Sequence, residues 1–196
     1  RLRAPANTDE RVSFLAEILN RVPDARLAIV GGGPQRAELE RRFSGYNAHF
    51  IGYLTGDDLA AAYASADAFV YASETETMGN VILEAMASGL PVTAANSGGV
   101  PSLVNHGIDG FLFKPRNADE AADYVRQILS STDRREQMSA AAVASVKSRT
   151  WRKASDQVRA YYQQLIDESL SSQVVRVRQA GFLPSKCTRA LVRMFQ

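Results

Sequence analysis

Two glutamates separated by seven residues, Glu76 and Glu84, lie in the stretch SETETMGNVILEAMASGLPV at 73–92. Carboxylates accept hydrogen bonds from vicinal hydroxyls, so each could grip a sugar ring. Between them, Gly79 lets the backbone come close to a ligand. Asn80 and Val81 fall where the first turn of a helix is expected, and there unpaired N–H groups and the positive end of the helix dipole favour phosphate. Asn80 and Glu84 are four residues apart and share a helix face, which sets Glu84 about one turn behind those amides. Glu76, Thr77 and Met78 are still in the loop, and Glu76 would address a different part of the same ligand. The chemistry suggested is the holding of a sugar joined to a nucleoside diphosphate. Plain helix stabilisation by acidic residues explains Glu74 and Glu76 equally well on spacing alone.

The elements that must position these residues follow from pattern. AFVY at 68–71 is a short apolar run rich in strand formers, as in a strand buried on both faces. NVILEAMA follows as a helix over 80–88, with Gly89 as its stop and Pro91 beyond. The same logic gives helices over 10–21, 34–43 and 56–65, and strands over 26–30, 49–51 and 91–94. Short segments then lead to GFLF at 110–113, and helices close the chain over 118–129, 133–148 and 155–170. Strands alternating with helices predict an α/β fold: a doubly wound, mainly parallel sheet with helices on both faces.

Ligands of such sheets bind beyond the carboxyl ends of the strands. Four loops fall there: Gly31-Gly32-Gly33-Pro34, Gly52, the glutamate loop, and Gly98-Gly99. The first is neither a dinucleotide fingerprint, because position 36 is Arg, nor a phosphate loop of the Lys-Ser/Thr type. Each loop alone reads as a turn; their shared edge is the signal.

Composition narrows the classes. The chain has 196 residues, 45% of them hydrophobic, enough for one sizeable core. Its 23 basic and 21 acidic residues leave a net charge of +2, which gives no argument for nucleic acid. The single cysteine, Cys187, allows no internal disulfide or cysteine metal cluster. His49 and His106 have no acidic or cysteine ligand pattern around them, and no Asp-x-Asp occurs, so neither a metal site nor a cofactor is expected. No apolar run approaches the length of a membrane span.

In order along the chain, GGGPQRAELE, FIGYLTGDDLAAAYASADAFVYAS, ETETMGNVILEAMASGLPV, NSGGVPSLVNHGIDGFLF and Trp151 resemble the C-terminal, donor-binding half of glycosyltransferase family 4, with its GT-B fold. The resemblance covers about 1–165. Within the family, FSG at 43–45, the run from Phe50 to Val70 and ANSGGVP at 95–101 are most similar to the sulfoquinovosyltransferase branch of sulfolipid synthesis. Asn80 and Ser102 depart from that branch, which usually has an aliphatic and an acidic residue there, and leave the donor sugar open.

The resemblance implies a retaining transfer from a nucleoside-diphosphate sugar, UDP-sulfoquinovose first, to a lipid such as diacylglycerol. Glu76 would bind donor-sugar hydroxyls beside the amides around Thr77, Met78 and Gly79. The amides of Asn80 and Val81 would meet the diphosphate, and Glu84 the ribose. Gly31, Gly32, Gly52, Tyr53 and Leu54 would complete the donor site. Arg1 stands where the family clamps phosphate, and together with Glu76 it is the expected catalytic pair. The family's lysine about five residues later is replaced by Ala6, with Arg3 and Arg11 the nearby cations. The protein's share of catalysis would be to position the donor and stabilise charge on the departing diphosphate.

The same resemblance divides the chain into a donor domain over 1–168 and a tail over 169–196. It implies that the domain's first strand and an N-terminal, acceptor-binding domain precede Arg1. Without that strand, the strands at 26–30 and 68–71 lack their shared neighbour, and the isolated chain is expected to be poorly stable or inactive. The tail has no acidic residue and interleaves Arg176, Arg178, Lys186, Arg189 and Arg193 with apolar ones. A basic amphipathic helix after Pro184 would suit an anionic membrane surface on the cytoplasmic or plastid stromal side; a solvated or partner-packed tail is the plainer alternative. Two rival functions remain at this level: a GDP-mannose-dependent mannosyltransferase, and a non-catalytic nucleotide-sugar-binding fragment.

Overall fold

A computed structural model describes residues 8–75, 77 and 79–179, with the backbone alone for 8–12 and 171–179. The chain divides into two compact units after Ser148.

The first unit alternates helix and strand: α1 (Thr8–Arg21), β1 (Leu27–Val30), α2 (Arg36–Arg42), β2 (Ala48–Gly52), α3 (Gly56–Ala64), β3 (Phe69–Tyr71), α4 (Asn80–Ala87), β4 (Val92–Ala95), β5 (Gly110–Phe113), α5 (Ala118–Leu129) and α6 (Thr132–Val146). All strand pairs are parallel, and the family of expected elements is present in the expected order. The strands form two ladders, β1-β2 and β3-β4-β5. The break falls between β1 and β3, the two strands read as lacking a shared neighbour.

Around β4 both faces are covered. Ile82, Ala85 and Met86 of α4 pack with Ala142 and Val146 of α6 on Val92 and Ala94. Ile18 of α1 and Val22, just past its end, pack with Ala121, Ala122 and Val125 of α5 on Ala95 and Phe113. A fully buried side chain such as Ile82 or Met86 contributes about 1.5–3 kcal/mol relative to exposure. β3 differs from expectation: Phe69, Val70 and Tyr71 are half-buried, because β3 is the edge of its ladder and pairs with β4 alone. The β1-β2 ladder is covered on one face, where Leu19, Leu39 and Phe43 lie against Leu27, Ile29, Ala48 and Phe50. Its other face leaves Ala28, Val30, His49 and Ile51 exposed.

Helix ends follow local chemistry. α4 closes on Gly89 (φ 81°), with the Gly89 N–H donating to Met86 O and the Leu90 N–H to Ala85 O, the paired bonds of a left-handed cap. α5 starts where the Asn117 side chain accepts from the Glu120 N–H, and α6 where Ser131 accepts from the Arg134 N–H. α2 begins two residues later than expected, after the turn at Pro34 and Gln35.

The second unit contains α7 (Trp151–Gln179), one helix that starts earlier and ends later than the expected 155–170 and runs through the boundary drawn at 168/169. Its start is explained by Thr150, whose Oγ1 accepts from the Lys153 N–H at 3.2 Å. The expected amphipathic helix after Pro184 lies outside the described residues. No described helix is long and apolar enough to cross a membrane.

Candidate functional site: a donor cradle at the carboxyl ends of the strands

β3 delivers the chain into the glutamate loop, which is tied to its neighbours. Ser73 is buried, and Ser97, in the loop after β4, donates its hydroxyl to Glu74 O at 2.8 Å. Arg116, just beyond β5, lies 3.4 Å from the Glu74 carboxylate through Nε and holds a left-handed backbone (φ 66°). The ends of three strands are thereby laced together at one edge.

Gly79 closes the loop in the left-handed region (φ 59°, ψ 38°), a conformation that favours glycine. Its carbonyl accepts from the Ile82 N–H at 2.9 Å and the Leu83 N–H at 3.2 Å, so α4 begins at Asn80. The Asn80 and Val81 amides therefore precede the first intrahelical acceptor, and Gly79 has no side chain to cap them. Asn80 and Glu84 are both exposed, while Ile82, Ala85 and Met86 anchor the opposite face in the core. The helix thus has one face committed to packing and one turned to solvent at the strand ends. Glu84 Oε2 accepts from the Tyr63 hydroxyl at 3.3 Å. Burial of the Tyr63 phenol, then the negative charge of Glu84 and this bond, push its pKa up to about 12.

A second group gathers at the end of the β1-β2 ladder. The Gly31 N–H donates to Gly52 O at 2.7 Å, with both glycines at positive φ (121° and 88°). The Tyr53 ring lies so close to Gly32 that a Cβ there would sit 2.7 Å from it. Tyr53 is otherwise exposed, and Leu54 is half-buried. Arg36 of α2 donates through Nη2 to Phe50 O at 3.1 Å, and its guanidinium stands 3.2 Å from where a Gly52 Cβ would be.

The predicted residues therefore fall into two groups on two ladders: Thr77, Gly79, Asn80, Val81 and Glu84 around α4, and Gly31, Gly32, Gly52, Tyr53 and Leu54 at β1-β2. Arg1, Glu76 and Met78 lie outside the described residues. Among the described residues no three His, Cys, Asp or Glu converge as metal ligands. His106 is occupied structurally, its Nδ1 accepting from the Leu112 N–H at 3.0 Å and its ring set against Phe111 and Tyr124.

The sequence profile of the family described as Glycosyl transferases group 1 matches residues 1–144. The chain belongs to this family. A sulfoquinovosyl transferase of Arabidopsis thaliana is 40% identical over 154 residues, covering 77% of this chain and 30% of that protein. A GDP-mannose-dependent alpha-mannosyltransferase of Corynebacterium glutamicum is 35% identical over 159 residues, covering 81% of this chain and 38% of that protein. The solved structure of Anabaena HepE in complex with UDP-glucose superposes with a TM-score of 0.61 at 27% identity, over 80% of this chain and 44% of that one. The group 1 glycosyl transferase chain thus spans about a third of the length of these curated relatives, and its fold is that of a GT-B glycosyltransferase domain.

The sequence pattern of this group 1 glycosyl transferase singles out Gly79, Asn80 and Glu84 as candidates and carries little signal for their neighbours. Tyr63 lies within the run FIGYLTGDDLAAAYASADAFVYAS, which by itself assigns it no role. Arg36 speaks in the sequence only against a glycine fingerprint, and Arg116 belongs to no motif. The one available signal for Arg116 was its place just after the Phe113 strand end, on the edge already marked by glycine loops.

Proposed function

We propose that this chain is the donor-binding part of a retaining glycosyltransferase that takes its sugar from a nucleoside diphosphate. The observation that carries the proposal is the start of α4, where a left-handed Gly79 opens a helix whose Asn80 and Val81 amides lack intrahelical partners and whose Glu84 stands one turn behind them. Amides at a helix start bind the diphosphate, and the carboxylate one turn on accepts from the ribose diol. Gly31, Gly32, Gly52, Tyr53 and Leu54 complete the donor site from the other ladder, and Glu76 binds the sugar hydroxyls. During transfer the amides and Arg1 stabilise charge that grows on the departing diphosphate.

UDP-sulfoquinovose is the proposed donor and a lipid such as diacylglycerol the acceptor, supported by the 40% identity to the Arabidopsis sulfoquinovosyl transferase. GDP-mannose is the second reading, favoured by the 35% identity to the Corynebacterium mannosyltransferase. The acceptor is bound mainly by an N-terminal domain of the whole protein, and residues 173–196 supply a peripheral membrane contact. Titration calorimetry of the full chain with UDP and with GDP separates the donors, with tighter binding of UDP expected. Tighter binding of GDP replaces UDP-sulfoquinovose by GDP-mannose. Failure of both to bind overturns the donor-site assignment.

A further inference from the structure

Glu84 is an exposed glutamate on a helix, and such a side chain ordinarily samples several rotamers. Here it is held. Tyr63, in the last turn of α3, donates its hydroxyl to Oε2 of Glu84 at 3.3 Å, across 21 residues of sequence and between two helices. The Tyr63 ring is fixed in turn: it meets Phe69 edge-on, with centroids 5.9 Å apart and planes at 60°, and Phe69 stacks on Tyr71. It also packs against the core that buries Ile82, Ala85 and Met86 of α4 itself. The donor is therefore anchored in the same core as the helix that carries the acceptor.

We infer that Tyr63 is a positioning residue, whose hydroxyl presents the Glu84 carboxylate to the ribose of the donor nucleotide. The inference rests on the donor-site reading above and deepens it. The bond engages Oε2 and leaves Oε1 to accept from a ribose hydroxyl. A side chain already ordered in the free protein loses less rotamer freedom when the ligand arrives, which is how preorganisation raises affinity. With a pKa near 12, the phenol keeps its proton under all ordinary conditions and remains a donor to the carboxylate. A purely structural staple between α3 and α4 would use the same bond, so the test must read the ribose.

The experiment is calorimetry of the full chain with UDP and GDP, each beside its 2′,3′-dideoxy counterpart, for the unaltered protein, Tyr63→Phe, Glu84→Gln and the double variant. Tyr63→Phe keeps the ring and its packing and removes only the hydroxyl, and thermal unfolding of each variant checks that it is folded. Tyr63→Phe is expected to weaken the ribonucleotide by about three- to tenfold and leave the dideoxy nucleotide unchanged, the size of one side chain's ordering cost. In the Glu84→Gln background the same change should have no further effect. Equal loss for both nucleotides, or none for either, overturns the positioning role while leaving the donor site standing if Glu84→Gln still abolishes the ribose preference. Should Glu84→Gln keep that preference, or the unaltered protein bind no nucleotide, the donor-site reading falls and the role of Tyr63 with it. If Tyr63→Phe proves unfolded, Tyr63→Leu and Tyr63→Met, which carry no hydrogen-bond donor, are read by the same ribose preference, and full retention by a folded one of them overturns the inference.

Discussion

At the scale of single residues, the chain solves two polar problems in opposite ways. Asp109 is fully buried with no cation paired to it among the described residues, and three donors surround it: the Asn105 N–H at 2.7 Å, Asn105 Nδ2 at 2.6 Å and the Ser145 hydroxyl at 2.5 Å. This carboxylate ties the turn before β5 to α6. Asp109→Asn puts an amide N–H₂ among donors, and it should lower stability by about 1.5–3 kcal/mol. Urea denaturation measures this, and an unmoved midpoint would show that the bonds carry no net weight. Thr93, by contrast, is buried in β4 with its hydroxyl unpartnered among the described residues. Glu84 was legible from its spacing to Gly79 and Asn80, because a helix period alone places them together. The Tyr63–Glu84 and Ser145–Asp109 bonds were not, because their partners are 21 and 36 residues apart and only the fold brings them into reach.

At the scale of elements, the helices could be read from apolar periodicity and the central strands from apolar runs. What pattern missed was end chemistry, such as the Thr150 cap that starts α7 at Trp151. β5 reads in the sequence only as a short segment, although three of its four residues are buried. A Cβ on Gly110 would sit 2.4 Å from Val92 O and 2.9 Å from Val104 Cγ1, closer than real side chains come. Gly110→Ala should therefore push β5 off β4 and cost about 1–3 kcal/mol. A thermal melt that matches the parent protein would show that β5 can shift freely. Glycines in the loops at the strand ends are constrained differently: Gly79, Gly31 and Gly52 are required by positive φ.

For the whole molecule, parallel pairing and helices on both faces were legible, since alternation of strand and helix leaves few other arrangements. The division into two ladders followed only from counting which strands had a neighbour. β4 is paired on both sides and buried along its length, whereas β1-β2 keeps one face exposed. Native-state hydrogen exchange should accordingly be slowest for the Val92–Ala95 amides and faster for those of β1. Equal protection would mean that the two ladders open as one cooperative body.

The helix α1 acquires a particular duty from this division. Ile18 enters the core of the larger ladder and Leu19, the very next residue, enters that of the smaller one. Adjacent residues point about 100° apart around a helix, so a small roll of α1 tightens its grip on one ladder as it loosens the other. Gly31 and Gly52 end the smaller ladder and Gly79 follows the larger, so this roll would also change how far apart the glycine loops at the two ladder ends stand.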